Sequence, residues 1–159
     1  MRNKNKKTTL FLKLMFPGVF YIFLINQVHA ANFTSTQTGD WDVGATWGNA
    51  SNVAGVDYPG PTDNATITTG KTVQVKIDQS VNNITINSKG VLTVKNNKNL
   101  TILGDYILNG THTGGNGATS TFMGLSKTFS GIGILDIPGG VSIFTSRTIL
   151  AGSNLLSAS

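Results

Sequence analysis

The sequence predicts an all-β chain: a right-handed parallel β-helix (a solenoid) with an N-terminal cap, preceded by a signal-peptide helix. Three observations predict it. Short runs that alternate apolar and polar residues recur between Asn64 and Leu108, separated by turns that often carry Gly. Ile67 to Ile84 spans 17 residues and Ile86 to Ile102 spans 16, a near-constant interval. Beyond residue 30 there is no Glu, and Thr, Asn, Gly, Val and Ile dominate, which is the composition of strands and turns.

Residues 1–30 read as a secretory leader. Arg2, Lys4, Lys6 and Lys7 make a basic start, Leu14 to Ile25 is nearly unbroken apolar sequence, and Val28-His29-Ala30 offers small residues for cleavage after Ala30. The competing reading is an uncleaved membrane anchor. Lys13 and Pro17 interrupt the run, which falls short of the ~20 residues a span needs. A lipoprotein signal is excluded, because there is no Cys to acylate.

Removing the leader changes the charge. The chain is +5 overall, but five of its twelve basic residues precede residue 14. The seven that remain balance seven acids, all Asp. The high pI is therefore no argument for nucleic acid or an anionic membrane. Without Cys there are no disulfides and no thiolate metal sites, and an exported chain of this kind fits a bacterium better than an animal.

Residues 31–61 are expected to form the cap. They hold Trp41 and Trp47, a strand-like Phe33-Thr-Ser-Thr36, and the Tyr58-Pro-Gly-Pro61 break. A stacked fold needs a cover for its first layer.

Residues 62–159 are expected to be β-helix repeats. Ala65–Thr68, Thr72–Ile77, Asn83–Ile86, Val91–Val94, Asn99–Ile102 and Tyr106–Leu108 alternate like strands with one face inward. Two strands and two turns per coil fit the interval. The inward set is Ile67, Val73, Val75, Ile77, Ile84, Ile86, Leu92, Val94, Leu100, Ile102 and Ile107. Each buried member contributes roughly 1.5–3 kcal/mol. About five coils at ~4.8 Å per strand make a rod roughly 25 Å long.

Thr111–Gly117 reads as a flexible insertion or wide turn, and strands resume at Thr119–Met123, Gly133–Ile137, Val141–Phe144 and Thr148–Leu150. Leu155–Ser159 forms no visible cap, so the repeats are expected to be truncated at the C-terminus.

One order of motifs goes further. Gly39-Asp-Trp41 and Ala45-Thr-Trp47 precede Asp63-Asn64 and Ala65-Thr-Ile-Thr68. Gly70-Lys-Thr-Val73, Val81-Asn-Asn-Ile-Thr-Ile86 and Gly90-Val-Leu-Thr-Val94 follow. From Phe33 to Leu108 this resembles the opening of large adhesin-like β-helix surface proteins of Gram-negative bacteria, many of them type IX-exported. It is also similar to the Gly-rich β-strand-pair domain called G8. The resemblance implies an outer-surface or secreted protein exported through the Sec pathway, and a C-terminal sorting domain that this sequence does not display.

Few residues offer chemistry. The mature chain has one His, His112, in the Gly-rich segment, where it reads as a solvated loop residue. Asp40 and Asp42 flank Trp41; calcium ligation competes with the favoured reading as turn residues. Trp41 and Trp47 either stack on sugar rings or plug the end of the stack, with the plug favoured. Thr66, Thr68, Thr85, Thr93 and Thr101 form an outward row, read as β-propensity against ordering of water or ice. Six Asn-x-Ser/Thr triplets, at Asn32, Asn49, Asn64, Asn83, Asn99 and Asn109, follow from composition.

These readings predict a non-catalytic structural or adhesive module outside the cell, with no catalytic residue, cofactor or metal. Its partners are surface glycans or host and abiotic surfaces, without nucleic acid and without a membrane span after leader removal. The alternative is a polysaccharide-binding module, or the N-terminal part of a polysaccharide-active β-helix enzyme.

Overall fold

The computed structural model describes residues 30–143 and 147–149. The expected leader and the Leu155–Ser159 end therefore lie outside the described residues, as does the cleavage position apart from Ala30 itself, which is exposed.

The described residues form a β-solenoid of about four turns. Fifteen short strands sort into three parallel sheets. The first sheet runs β1 (Asn32–Thr34), β3 (Asn64–Ile67), β6 (Asn83–Ile86), β9 (Tyr106–Leu108), β12 (Lys127–Ser130) and β15 (Arg147–Ile149). The second holds β2 (Gly39–Asp40), β4 (Thr72–Val75), β7 (Val91–Val94), β10 (Thr111–Gly114) and β13 (Ile134–Asp136). The third holds β5 (Gln79–Val81), β8 (Asn99–Ile102), β11 (Thr119–Phe122) and β14 (Val141–Ile143).

From Asn64 onward each coil therefore has three strands, not two, and is longer than the expected interval. Asn64 and Asn83, 19 residues apart, occupy matching places, and so do Asn83 and Asp105, 22 apart. Ile67 lies beside Ile86 rather than Ile84, whose neighbour is Ala65. The third strand escaped notice because Gln79-Ser80-Val81 has one inward residue, too few to show a period. The same holds for β12, whose Lys-Thr-Phe-Ser turns only Phe129 fully inward.

Alternation then builds the core. Strands β3, β4, β6, β7 and β8 each place their second and fourth residues inward. Parallel pairing sets like on like: Val73 beside Leu92, Val75 beside Val94, Val81 beside Ile102. All of these side chains are buried. Strands this short cannot bury a face alone, so stability comes from stacking one coil on the next.

Two of the expected inward residues point out. Ile77 is 47% exposed, because β4 stops at Val75 and the chain is turning a corner. Ile107 is 38% exposed, with Tyr106 and Leu108 inward on either side. The longer coil shifts the phase by one residue: Ile84 neighbours Tyr106, and Ile107 continues the outward line of Thr85. A one-residue slip exchanges the two faces of a strand.

The first layer begins before Asn64. β1 joins the first sheet on β3, and β2 joins the second on β4. Phe33, Trp41 and Trp47 are buried there in the same core as the coils below. Gly39 is required at its place, since a Cβ would collide with the buried Thr46 hydroxyl.

Candidate functional site

Three groups of residues are candidates: the indoles of the first layer, a polar cluster in the lower core, and polar rows on the outer faces.

In the first layer, Trp47 meets Trp41 edge-on at 5.2 Å between ring centroids, and Phe33 edge-on at 6.2 Å. The Trp41 indole N–H donates to Pro59 O at 3.1 Å, and that of Trp47 donates to Trp41 O at 2.7 Å. Trp41 has no exposed surface and Trp47 only 5%, so neither offers a ring face to a sugar. Buried Asp63 ties the layer together. Its carboxylate accepts from Ala31 N–H at 2.8 Å and Gly60 N–H at 2.9 Å, satisfying two backbone donors that no strand pairs. Asp40 meets Lys76 at 2.8 Å. Among the described residues no group of three or more His, Cys, Asp or Glu converges as a metal site, so Asp40 and Asp42 have no third ligand of that kind.

Lower down, the structure corrects the reading of His112. Thr111–Gly114 is strand β10, not a flexible insertion, and His112 is its fully buried inward residue. It sits between Leu92 and Leu135 of the flanking strands. Thr-His-Thr alternates like any strand here, with an imidazole where the coil above has leucine. Each of the three sheets contributes one polar group. The Tyr106 hydroxyl lies 2.6 Å from His112 Nδ1, and the Ser120 hydroxyl 3.2 Å from Nε2.

Tyr106 and Ser120 are also fully buried. Burial holds the His112 imidazole at about 3, against an ordinary 6.5, and pushes the Tyr106 phenol well above its usual 10.0. Both groups are thereby kept neutral. The Tyr106 ring packs against Phe122 at 5.1 Å and Phe129 at 4.7 Å, so an aromatic cluster surrounds the polar contact. A Ser–His pair backed by a third group has the composition of a nucleophile and its base. With all three side chains closed off, the arrangement satisfies buried polar atoms and specifies how three strands meet.

The outer faces carry rows that follow the coil register. Along the first sheet, Asn64 Nδ2 donates to Asn32 Oδ1 at 2.8 Å, and Asn83 Nδ2 to Asn64 Oδ1 at 2.7 Å. Asn83 Oδ1 then accepts from Asp105 N–H, and Asp105 Oδ1 from Thr128 N–H at 2.8 Å. On the third sheet Asn99 Oδ1 accepts from Thr119 at 2.9 Å and Thr121 at 3.0 Å, while its Nδ2 donates to Thr101 at 2.9 Å. Four of the Asn-x-Thr triplets thus begin strands, where Asn and Thr share the outward side. The expected single Thr row is divided. Thr66 and Thr85 lie on the first sheet, Thr93 on the second and Thr101 on the third, while Thr68 donates to Ser35 O at 2.7 Å outside any strand.

These ladders were missed in the sequence. Their signal was the Asn at the head of successive Asn-x-Thr runs, legible only once the coil length is known.

No helix among the described residues is long and apolar enough to cross a membrane. No protein-family model, curated protein or solved structure matches the chain.

Proposed function

We propose that this chain is a non-catalytic structural or adhesive module, displayed outside the cell or on its outer surface as a stiff β-solenoid. The observation that carries this reading is the division of labour between inside and outside. His112, Trp41 and Trp47 are committed to the core. The outward positions of β3, β6, β8 and β11 hold uncharged Asn and Thr in register from coil to coil. A neutral repeating surface favours many weak contacts over one tight site, and multivalency turns such contacts into firm attachment. The leader-like start of the sequence supports export. Surface fractionation and attachment assays on a deletion strain test the reading. Loss of attachment to at least one glycan-coated, host or abiotic surface is the expected result; normal attachment to all of them overturns it.

One observation favours a second reading, polysaccharide binding. Ser80, Thr101, Thr121 and Ser142 stand side by side on the third sheet, with Asn99 and Thr119 next to them. Such a hydroxyl and amide surface suits a neutral polyol. A glycan array with wild type and the Thr101→Val/Thr121→Val double variant tests it. Unchanged binding by the variant removes this face from consideration.

A further inference from the structure

Three Asn residues near the corners of the coil precede Gly or Ser: Asn87-Ser88, Asn109-Gly110 and Asn116-Gly117. An Asn side-chain amide is attacked by the backbone nitrogen of the next residue only under certain conditions. That residue should lack a Cβ, its N–H should be free of a hydrogen bond, and the turn should have room to move. The three sites do not meet these conditions equally.

Asn116 and Gly117 are both exposed in the turn between β10 and β11. Gly117 has φ +67°, a conformation that suits glycine. The corner is held by Asn97 N–H to Asn116 O at 3.0 Å and Ala118 N–H to Gly115 O at 3.0 Å. Neither bond uses Gly117 N–H. At Asn109-Gly110, by contrast, Gly110 is buried and its N–H donates to Ile86 O at 3.1 Å. Backbone oxygens of Gly90 and Asn87 crowd the space beside its Cα. Asn87 is half-buried, and Ser88 carries a side chain that shields its nitrogen.

We propose that Asn116 is a site of spontaneous covalent modification, deamidating through a cyclic imide with water as the co-reactant. The Gly117 nitrogen gives its proton to solvent base and bonds to Asn116 Cγ. The Cγ–Nδ2 bond then breaks, and ammonia leaves with the proton returned from solvent. Water next opens the five-membered ring. Cleavage of the new Cγ–N bond leaves aspartate, and cleavage of the original backbone C–N bond leaves isoaspartate. Either product adds one negative charge to an outer corner. Isoaspartate also adds a backbone carbon to the corner whose Asn116 O accepts from Asn97, loosening the hold between successive coils.

Conversion at Asn116 outpaces that at Asn109 by roughly tenfold, the factor set by one backbone hydrogen bond that must open first. To test this, the purified full chain is held at mildly alkaline pH and body temperature and sampled by peptide mapping with an isoaspartate assay. Expected are early aspartate and isoaspartate at position 116, with Asn109 and Asn87 lagging. Asn116→Gln, whose ring closure is much slower, abolishes the early phase and keeps its thermal midpoint on ageing while wild type loses some. Conversion at Asn109 as fast as at Asn116, or an intact Asn116 throughout, overturns the proposal. So does an early phase that survives in Asn116→Gln.

Discussion

The upper coils and the lower coils solve the same packing problem with different side chains. From Ile67 to Ile102 the interior is purely aliphatic, with Val, Ile and Leu stacked on their equivalents one coil away. From Tyr106 to Phe129 Leu108 and Ala118 are joined by Tyr106, His112, Ser120, Phe122 and Phe129. The outside differs too: Met123, Leu125, Ile132 and Ile134 are exposed in the lower part. The lesson is that one stack accepts rings and polar groups in place of aliphatic side chains without changing its pairing. Aliphatic coils already run from 19 residues (Asn64 to Asn83) to 22 (Asn83 to Asp105), and the ring-filled coil from Asp105 to Thr128 has 23. Rings bring polar atoms with them, and the hydroxyl of Tyr106 then needs His112 as a partner.

This contrast can be broken by mutation. Tyr106→Ala removes a ring that touches Phe122 and Phe129 and strands His112 Nδ1. It should cost about 3–5 kcal/mol, read from urea unfolding, whereas Ile86→Val in the aliphatic part should cost only ~0.5–1.5 kcal/mol. Equal losses would mean that the aromatic cluster is no more critical than any aliphatic pair.

Acid should separate the two regions next. His112 stays neutral in the fold down to about 3, whereas the unfolded chain takes up its proton near 6.5. The unfolded state binds more protons between those values. Stability is therefore fully present above 6.5 and falls as pH drops toward 3, by about 1.4 kcal/mol per pH unit. His112→Phe should flatten that stretch of the stability–pH curve. An unchanged slope would remove His112 as its source. In alkali the sign reverses for Tyr106, whose raised value makes the fold lose stability as pH rises above 10.0.

A smaller effect belongs to the first layer. Asp63→Ala leaves the N–H groups of Ala31 and Gly60 without their acceptor, and should cost about 1–3 kcal/mol. Hydrogen exchange should show the loss concentrated in residues near β1, with the lower coils unaffected. Least of all, Lys76→Ala breaks a pair whose lysine is 51% exposed. A change in midpoint beyond that of ~1 kcal/mol would contradict the usual weakness of exposed ion pairs.

How much was legible depended on the side chains that made each strand. The aliphatic alternations of β3, β4, β6, β7 and β8 were plain, because polarity and position agree there. β5 and β12 were hidden, since one inward residue makes no period. His112 was misread for a related reason: a polar residue in a Gly-rich stretch looks solvated until its neighbours, Leu92 and Leu135, are known. Ile107, expected inward, points out because phase along the strand places Tyr106 and Leu108 inward on either side of it.

Local alternation and turn chemistry, then, are written in the chain, and with them the choice of stacked parallel strands and a neutral outer surface. Coil length, strand phase and the meeting of Tyr106, His112 and Ser120 emerged only when residues far apart in sequence came into register. Side-chain periodicity is a property of neighbours along the backbone, whereas register is chosen by the total burial that all coils achieve together.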